Sequence, residues 1–130
     1  MIEMLPDHLR EEAIKLCEYS PRVTVNKTVS DGEILPYCGG IQVLHTPGHT
    51  EGHISLYHEK SKTLIAADSM LIVNDKLHGP VQQTSIDIHK AQQSVRKFLN
   101  YDIDNVICYH GGLLELNVEE QIKEIVQEID

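Results

Sequence analysis

"HTPGHTEGHISLYHEKSKTLIAAD", residues 45–68, decides how this chain is read. It opens with His45, His49 and His53 in one short stretch, among Pro47, Gly48 and Gly52. Proline and glycine so close together mark a turn. The alternating run Ile54-Ser55-Leu56-Tyr57 follows, then the polar Glu59-Lys60-Ser61-Lys62, then "TLIAA" and Asp68. That pattern predicts a hairpin: strand 53–58, turn 59–62, strand 63–67. Imidazoles thus crowd the turn that precedes the hairpin, and a carboxylate stands immediately after it.

On the upstream side, "IQVLHT" reads as a short strand feeding the turn, and "EILPY" as another on the far side of Gly39-Gly40. "RVTVNKTV" (22–29) alternates as a strand, with "SDG" as a turn after it. Residues 6–19 predict a helix: Pro6 suits a first turn, acidic residues follow, and Leu5, Leu9, Ile14 and Leu16 make an imperfect apolar stripe. Residues 69–83 read as loop. Residues 84–100 predict a helix capped by Thr84 or Ser85, with Ile88, Ala91, Val95, Phe98 and Leu99 on one face. "NVICY" (105–109) reads as a short buried strand. A last helix follows, capped by Asn117 with Glu120 three residues on, its apolar face Val118, Ile122, Ile125, Val126 and Ile129. The order implies an α/β chain with one mainly antiparallel or mixed sheet and helices on one face.

At 130 residues the chain reads as one domain, 1–130, with a modest core. Twenty acidic residues against eleven scattered basic ones give a net charge of -9, which repels phosphate backbones and argues against nucleic acid as a partner. The apolar runs "LIAA" and "MLIV" are far shorter than a membrane span. No basic and apolar leader is read at the start. Cys17, Cys38 and Cys108 form no CxxC pair, which fits reduced thiols in a cytoplasmic protein.

His49, Asp68 and His110 stand out by position. His49 follows strand 41–45, Asp68 follows "TLIAA", and His110 lies between "NVICY" and Gly112. Strand ends opening into glycine loops are where side chains can converge on one edge of a sheet. Imidazole and carboxylate together suit a borderline cation such as zinc. Taken singly, each has an ordinary reading: a carboxylate after a strand is a turn residue, and a histidine at a strand end is a partly exposed one. The solvent-facing reading is favoured for His58, His78 and His89.

The stretch from "VTVNKTVSDGEILPYCGG" through "HTPGHTEGH" to "LIAADSML", followed by "VICYHGG", resembles the C-terminal half of a metallo-β-lactamase superfamily hydrolase over roughly residues 22 to 112. The resemblance implies half of an αβ/βα sandwich. It implies His49 as a ligand of one metal, Asp68 as the carboxylate bridging two, and His110 as a ligand of the second. His45 and His53 are read as flanking residues that touch no metal, either structural or hydrogen-bonded behind a ligand. The implied reaction is hydrolysis of an ester, lactone, thioester or amide in a small-molecule substrate by a metal-bound hydroxide, with Asp68 able to carry its proton. Zinc is the expected metal, up to two, with iron or manganese compatible.

Departures from the family pattern are Ala67 and Tyr109 where glycine is common, and Glu51 and His53 where proline and serine are frequent. The upstream motif H-x-H-x-D-H, which supplies the family's further ligands, is absent from these residues; His8 stands alone in a helix. The helix at 1–20 looks like a connector between family halves. Weak or no metal binding and little hydrolysis are expected of the chain alone, because zinc wants about four ligands. An inner sheet face carrying Val43, Ile54, Leu56, Leu64 or their alternates would lack a partner, and self-association into a homodimer is expected to cover it. Two other readings stand beside the hydrolase piece: a non-catalytic interaction or dimerisation module, and a half-enzyme completed by another chain carrying the N-terminal half.

Overall fold

The structure, a computed structural model, describes residues 4–19 and 22–129. Helix α1 spans Asp7–Tyr19, close to the predicted 6–19. Its apolar stripe is not buried: Leu9 and Ile14 remain about two-fifths exposed (41% and 40%), and the Leu16 side chain lies outside the described residues. The predicted strand at 22–29 does not form. Residues 22–30 have no regular structure, and Val23 and Val25 are exposed. Alternation alone does not make a strand; it needs a neighbour to bond and a face to bury.

The main sheet, among the described residues, is built from β1 (Ile34–Leu35), β2 (Ile41–His45), β3 (Ile54–His58), β4 (Thr63–Ala67), β7 (Asn105–Cys108) and β8 (Gly112–Leu114). Their order across it is β1-β2-β3-β4-β7-β8. All pairings are antiparallel except β4 with β7. The hairpin read from residues 53–67 is present, with Leu56 opposite Ile65 and Tyr57 opposite Leu64. Between Ile65 and Ala67 the β4–β7 register shifts, and Ala67 has φ +55.

A second, two-stranded sheet occupies the stretch read as loop: β5 (Leu71–Val73) and β6 (Lys76–His78). Its turn residues, Asn74 and Asp75, both have positive φ (52 and 59). That is the tight primed turn favoured in two-residue hairpins; the Asn-Asp pair after the apolar Leu71–Val73 was a weak signal for it.

Helix α2 (Ile88–Arg96) begins later than predicted. Its cap is Asp87, whose Oδ1 accepts the Lys90 N–H at 3.1 Å, not Thr84 or Ser85; Gln82–Thr84 form a separate 3-10 turn. A further 3-10 turn, Lys97–Asn100, completes the segment. Phe98 there is buried, and Leu99 faces solvent. Helix α3 (Val118–Ile129) buries Val118, Ile122, Ile125 and Val126 as expected. Asn117 precedes it at φ +51, not the extended backbone of an ordinary cap.

One core joins Leu44, Tyr57, Leu64, Ala66, Val106, Cys108 and Leu114 of the sheet to Val95 and Phe98 and to the apolar face of α3. So α2 and α3 lie on one face. The other face carries a cross-strand row, Val43–Leu56–Ile65–Ile107–Leu113. Of the four residues expected there, Val43 lies on this face but is buried and Leu64 is on the helix side; Ile54 and Leu113 are exposed, and Leu56, Ile65 and Ile107 are half-buried. Among the described residues no helix is long and apolar enough to cross a membrane.

Candidate metal centre

The pairing directions explain why residues far apart in sequence meet. β2 and β4 both run antiparallel to β3, and β7 runs parallel to β4. The C-terminal ends of β2, β4 and β7 therefore share one edge, and His49, Asp68 and His110 leave from those ends.

His49 sits in a loop pinned to the start of α2. The Asp87 N–H donates to Gly48 O (2.9 Å), and the Ser94 hydroxyl donates to Pro47 O (2.7 Å). Gly48 has φ +136, and a Cβ there would stand 2.2 Å from Ala91 N, so only glycine allows the approach. His110 is held from the other side: the Tyr109 N–H donates to Ala67 O and the Ile72 N–H to His110 O, both at 2.9 Å. The unforeseen β5 strand thus anchors the His110 loop.

Asp68 lies between the two imidazoles. Its Oδ2 is 3.4 Å from His49 Nε2, and its Oδ1 is 3.5 Å from His110 Nε2. Oδ1 is buried and has no hydrogen-bond partner, an unfavourable state for a carboxylate oxygen. Both separations exceed an ordinary hydrogen bond. They match the spacing of about 3.4 Å between two ligands that are each about 2.1 Å from a tetrahedral cation. The donor chemistry therefore fits a cation beside each oxygen. The donor number does not fill a site: among the described residues no group of three or more His, Cys, Asp or Glu side chains is arranged to hold one ion. The cluster is two two-donor halves sharing a carboxylate.

His45, His53 and His58 have structural partners. His45 Nε2 bonds Glu51 O at 2.9 Å, and His58 bonds Ser61 Oγ and Cys38 O; His58 is therefore half-buried and bonded, not simply solvent-facing, whereas His78 and His89 are exposed as expected. His53 is buried against the cluster, its ring edge-on to His49 with centroids 5.8 Å apart. Its Nε2 accepts the Asp68 N–H at 3.0 Å. That contact escaped the sequence reading, because nothing in the spacing of His53 shows which atom it meets. Cys108 is no ligand candidate: burial, then the charge of Asp68, push its thiol up to about 12.

Burial, then neighbouring His49, hold the His53 imidazole below its ordinary 6.5. An unfolded His53 takes a proton near pH 6.5, while the folded one takes it only at lower pH. Between those values the unfolded chain binds more protons, so stability falls as pH drops below about 6.5. Thermal melts of the metal-free chain from pH 7.5 to 5.5 are expected to show that fall, and His53→Gln to reduce it; equal slopes would refute it.

A mixed sheet whose strand ends gather two imidazoles and a carboxylate is an α/β fold with a candidate metal-binding edge. The metallo-beta-lactamase superfamily model matches residues 2–110, and the chain belongs to that superfamily. A solved structure of TTHA1623 in a di-iron-bound form is 25% identical to this chain, with a TM-score of 0.59 over 78% of this chain and 48% of that one. A probable metallo-hydrolase of Bacillus subtilis (strain 168), YflN, is 29% identical over 123 residues, 82% of this chain and 46% of that protein. An N-acyl homoserine lactonase of Bacillus sp is 43% identical over 90 residues, 67% of this chain and 34% of that protein. A metallo-beta-lactamase family protein of Thermus thermophilus superposes with a TM-score of 0.59 at 19% identity, covering 98% of this chain and 47% of that one. The chain spans about half the length, or less, of these proteins.

Proposed function

We propose that this chain supplies one half of a metal-dependent hydrolase site, in which His49 and His110 each hold a cation and Asp68 bridges the two. The observation that carries this reading is the Asp68 carboxylate set between two imidazoles, with His49 Nε2 3.4 Å from Oδ2 and His110 Nε2 3.5 Å from Oδ1, the latter oxygen buried and without a hydrogen-bond partner. When bound, the cation supplies Lewis acidity and makes water nucleophilic near neutral pH. Zinc suits the donors, and iron or manganese is compatible. As the carboxylate of the cluster, Asp68 is the group placed to accept a proton there. The substrate class is a small ester, lactone, thioester or amide; the likeness to a lactonase supports a lactone or related acyl compound.

The remaining ligands come from outside these 130 residues. The donor count and the length of the relatives support this. The half-buried row Leu56–Ile65–Ile107, with Ile54 and Leu113 exposed beside it, is the face a complementary N-terminal half would cover.

The test is zinc content by elemental analysis on a gel-filtration peak with in-line light scattering. The chain alone is expected to hold little zinc. Co-expressed with an N-terminal half from a relative, carrying H-x-H-x-D-H, it should hold about one or two per complex and gain hydrolysis of an acyl lactone. Asp68→Asn and His49→Ala should lose both. Zinc unchanged in those variants would overturn the metal reading. A homodimer holding a full zinc complement would instead make a second copy the covering partner.

A further inference from the structure

Buried hydroxyls link His53 back to β4 in a closed ring. Thr46 Oγ1 lies 2.8 Å from His53 Nδ1 and 2.9 Å from Ser55 Oγ, and Ser55 Oγ donates to Ala66 O at 3.3 Å. Thr46 and Ser55 are each 1% exposed, so water does not compete for these groups.

The ring has one consistent direction. The Asp68 N–H donates to His53 Nε2, so that nitrogen carries no proton. The ring proton is therefore on Nδ1, donated to Thr46 Oγ1, with Thr46 O also near at 3.1 Å. The Ser55 proton goes to Ala66 O, so the Thr46 hydroxyl donates to Ser55 Oγ. Every donor finds an acceptor once.

The two ends of the ring grip the peptides on either side of Ala67: Ala66 C=O and Asp68 N–H. Ala67 is the left-handed residue at the bulge (φ +55), a conformation costing an L-residue about 1–2 kcal/mol. Holding both flanking peptides fixes that turn, and the turn sets where the next side chain points. Ser69 reinforces the same carbonyl through its N–H (3.0 Å) and its hydroxyl (2.7 Å).

We propose that His53 is a positioning residue: protonated on Nδ1, it holds the Asp68 amide and thereby a single rotamer of the Asp68 carboxylate between His49 and His110. This rests on the reading of Asp68 as the bridging carboxylate, but its test needs no metal.

On the isotope-labelled, metal-free chain, NMR should show a coupling across the hydrogen bond between Asp68 N and His53 Nε2, with Nε2 unprotonated. Three-bond couplings should report one dominant χ1 rotamer for Asp68. His53→Ala should give rotamer-averaged couplings. His53→Gln, whose amide oxygen can accept the same N–H, should restore the single rotamer. A protonated Nε2 in the native chain, or an Asp68 rotamer unchanged in His53→Ala, would overturn the proposal; if His53→Ala fails to fold, the native tautomer and His53→Gln still decide it. In the complemented protein His53→Ala should weaken zinc binding about 10–100-fold. Absence of zinc from the native complex would fail the metal reading alone, and the couplings would still decide this one.

Discussion

Gly48→Ala is expected to cost the chain about 3 kcal/mol, lowering its melting temperature by roughly 10 °C. The added Cβ would stand 2.2 Å from Ala91 N, 2.3 Å from Ala91 Cα and 2.5 Å from its Cβ, and backbone cannot give way as a side-chain tip does. The backbone there, at φ +136, also strains any L side chain. Relief requires the loop to lift off α2, which breaks the Asp87 N–H to Gly48 O bond and carries His49 away from Asp68. Gly52→Ala is the control: it lies in the same loop, with nothing within 4 Å of its added Cβ. Circular-dichroism melts of the two variants measure the difference. Similar melting temperatures would mean that the loop does not dock on α2.

The paired glycines after His110 make a sharper comparison. Both are left-handed, with φ +110 at Gly111 and +83 at Gly112. A Cβ on Gly111 would meet Ile72 O at 2.3 Å and Ile72 Cβ at 2.5 Å, whereas one on Gly112 would meet nothing within 4 Å. Gly112→Ala should therefore cost only the backbone term, about 1–2 kcal/mol. Gly111→Ala adds overpacking and should cost about 3 kcal/mol or more, with loss of the Ile72 N–H to His110 O bond. Denaturant midpoints at constant slope give the comparison. Equal costs would show that β5 does not hold the His110 loop.

Much of this could be read from the sequence where pattern and structure share a period. The 53–67 hairpin, the last helix and the three strand-end residues are cases, because alternation, apolar stripes and glycine loops are local signals. The β5–β6 hairpin was missed because its Asn74-Asp75 turn lacks glycine, and the 22–29 strand was misread because alternation does not reveal a missing neighbour. Ala67, a departure from the family's glycine, meets the same backbone demand at φ +55. The hydrogen bond from Asp68 N–H to His53 was beyond sequence reading, since it depends on the bulge that turns the peptide.

The parallel pairing of β4 with β7, the one such pairing among the described residues, divides the cluster by the length of chain that must close to form it. His49, His53 and Asp68 belong to a single segment, 45–68, whose strands pair antiparallel with their neighbours and whose His49 loop docks on α2. His110 joins them only after the chain has returned through β5, β6 and α2. Hairpins close in microseconds, while non-local and parallel pairings are slow because ordering precedes reward. Loosening the β4–β7 pairing releases His110, whereas His49 is lost with α2, on which its loop is docked, so the two halves of the cluster depend on different parts of the crossover.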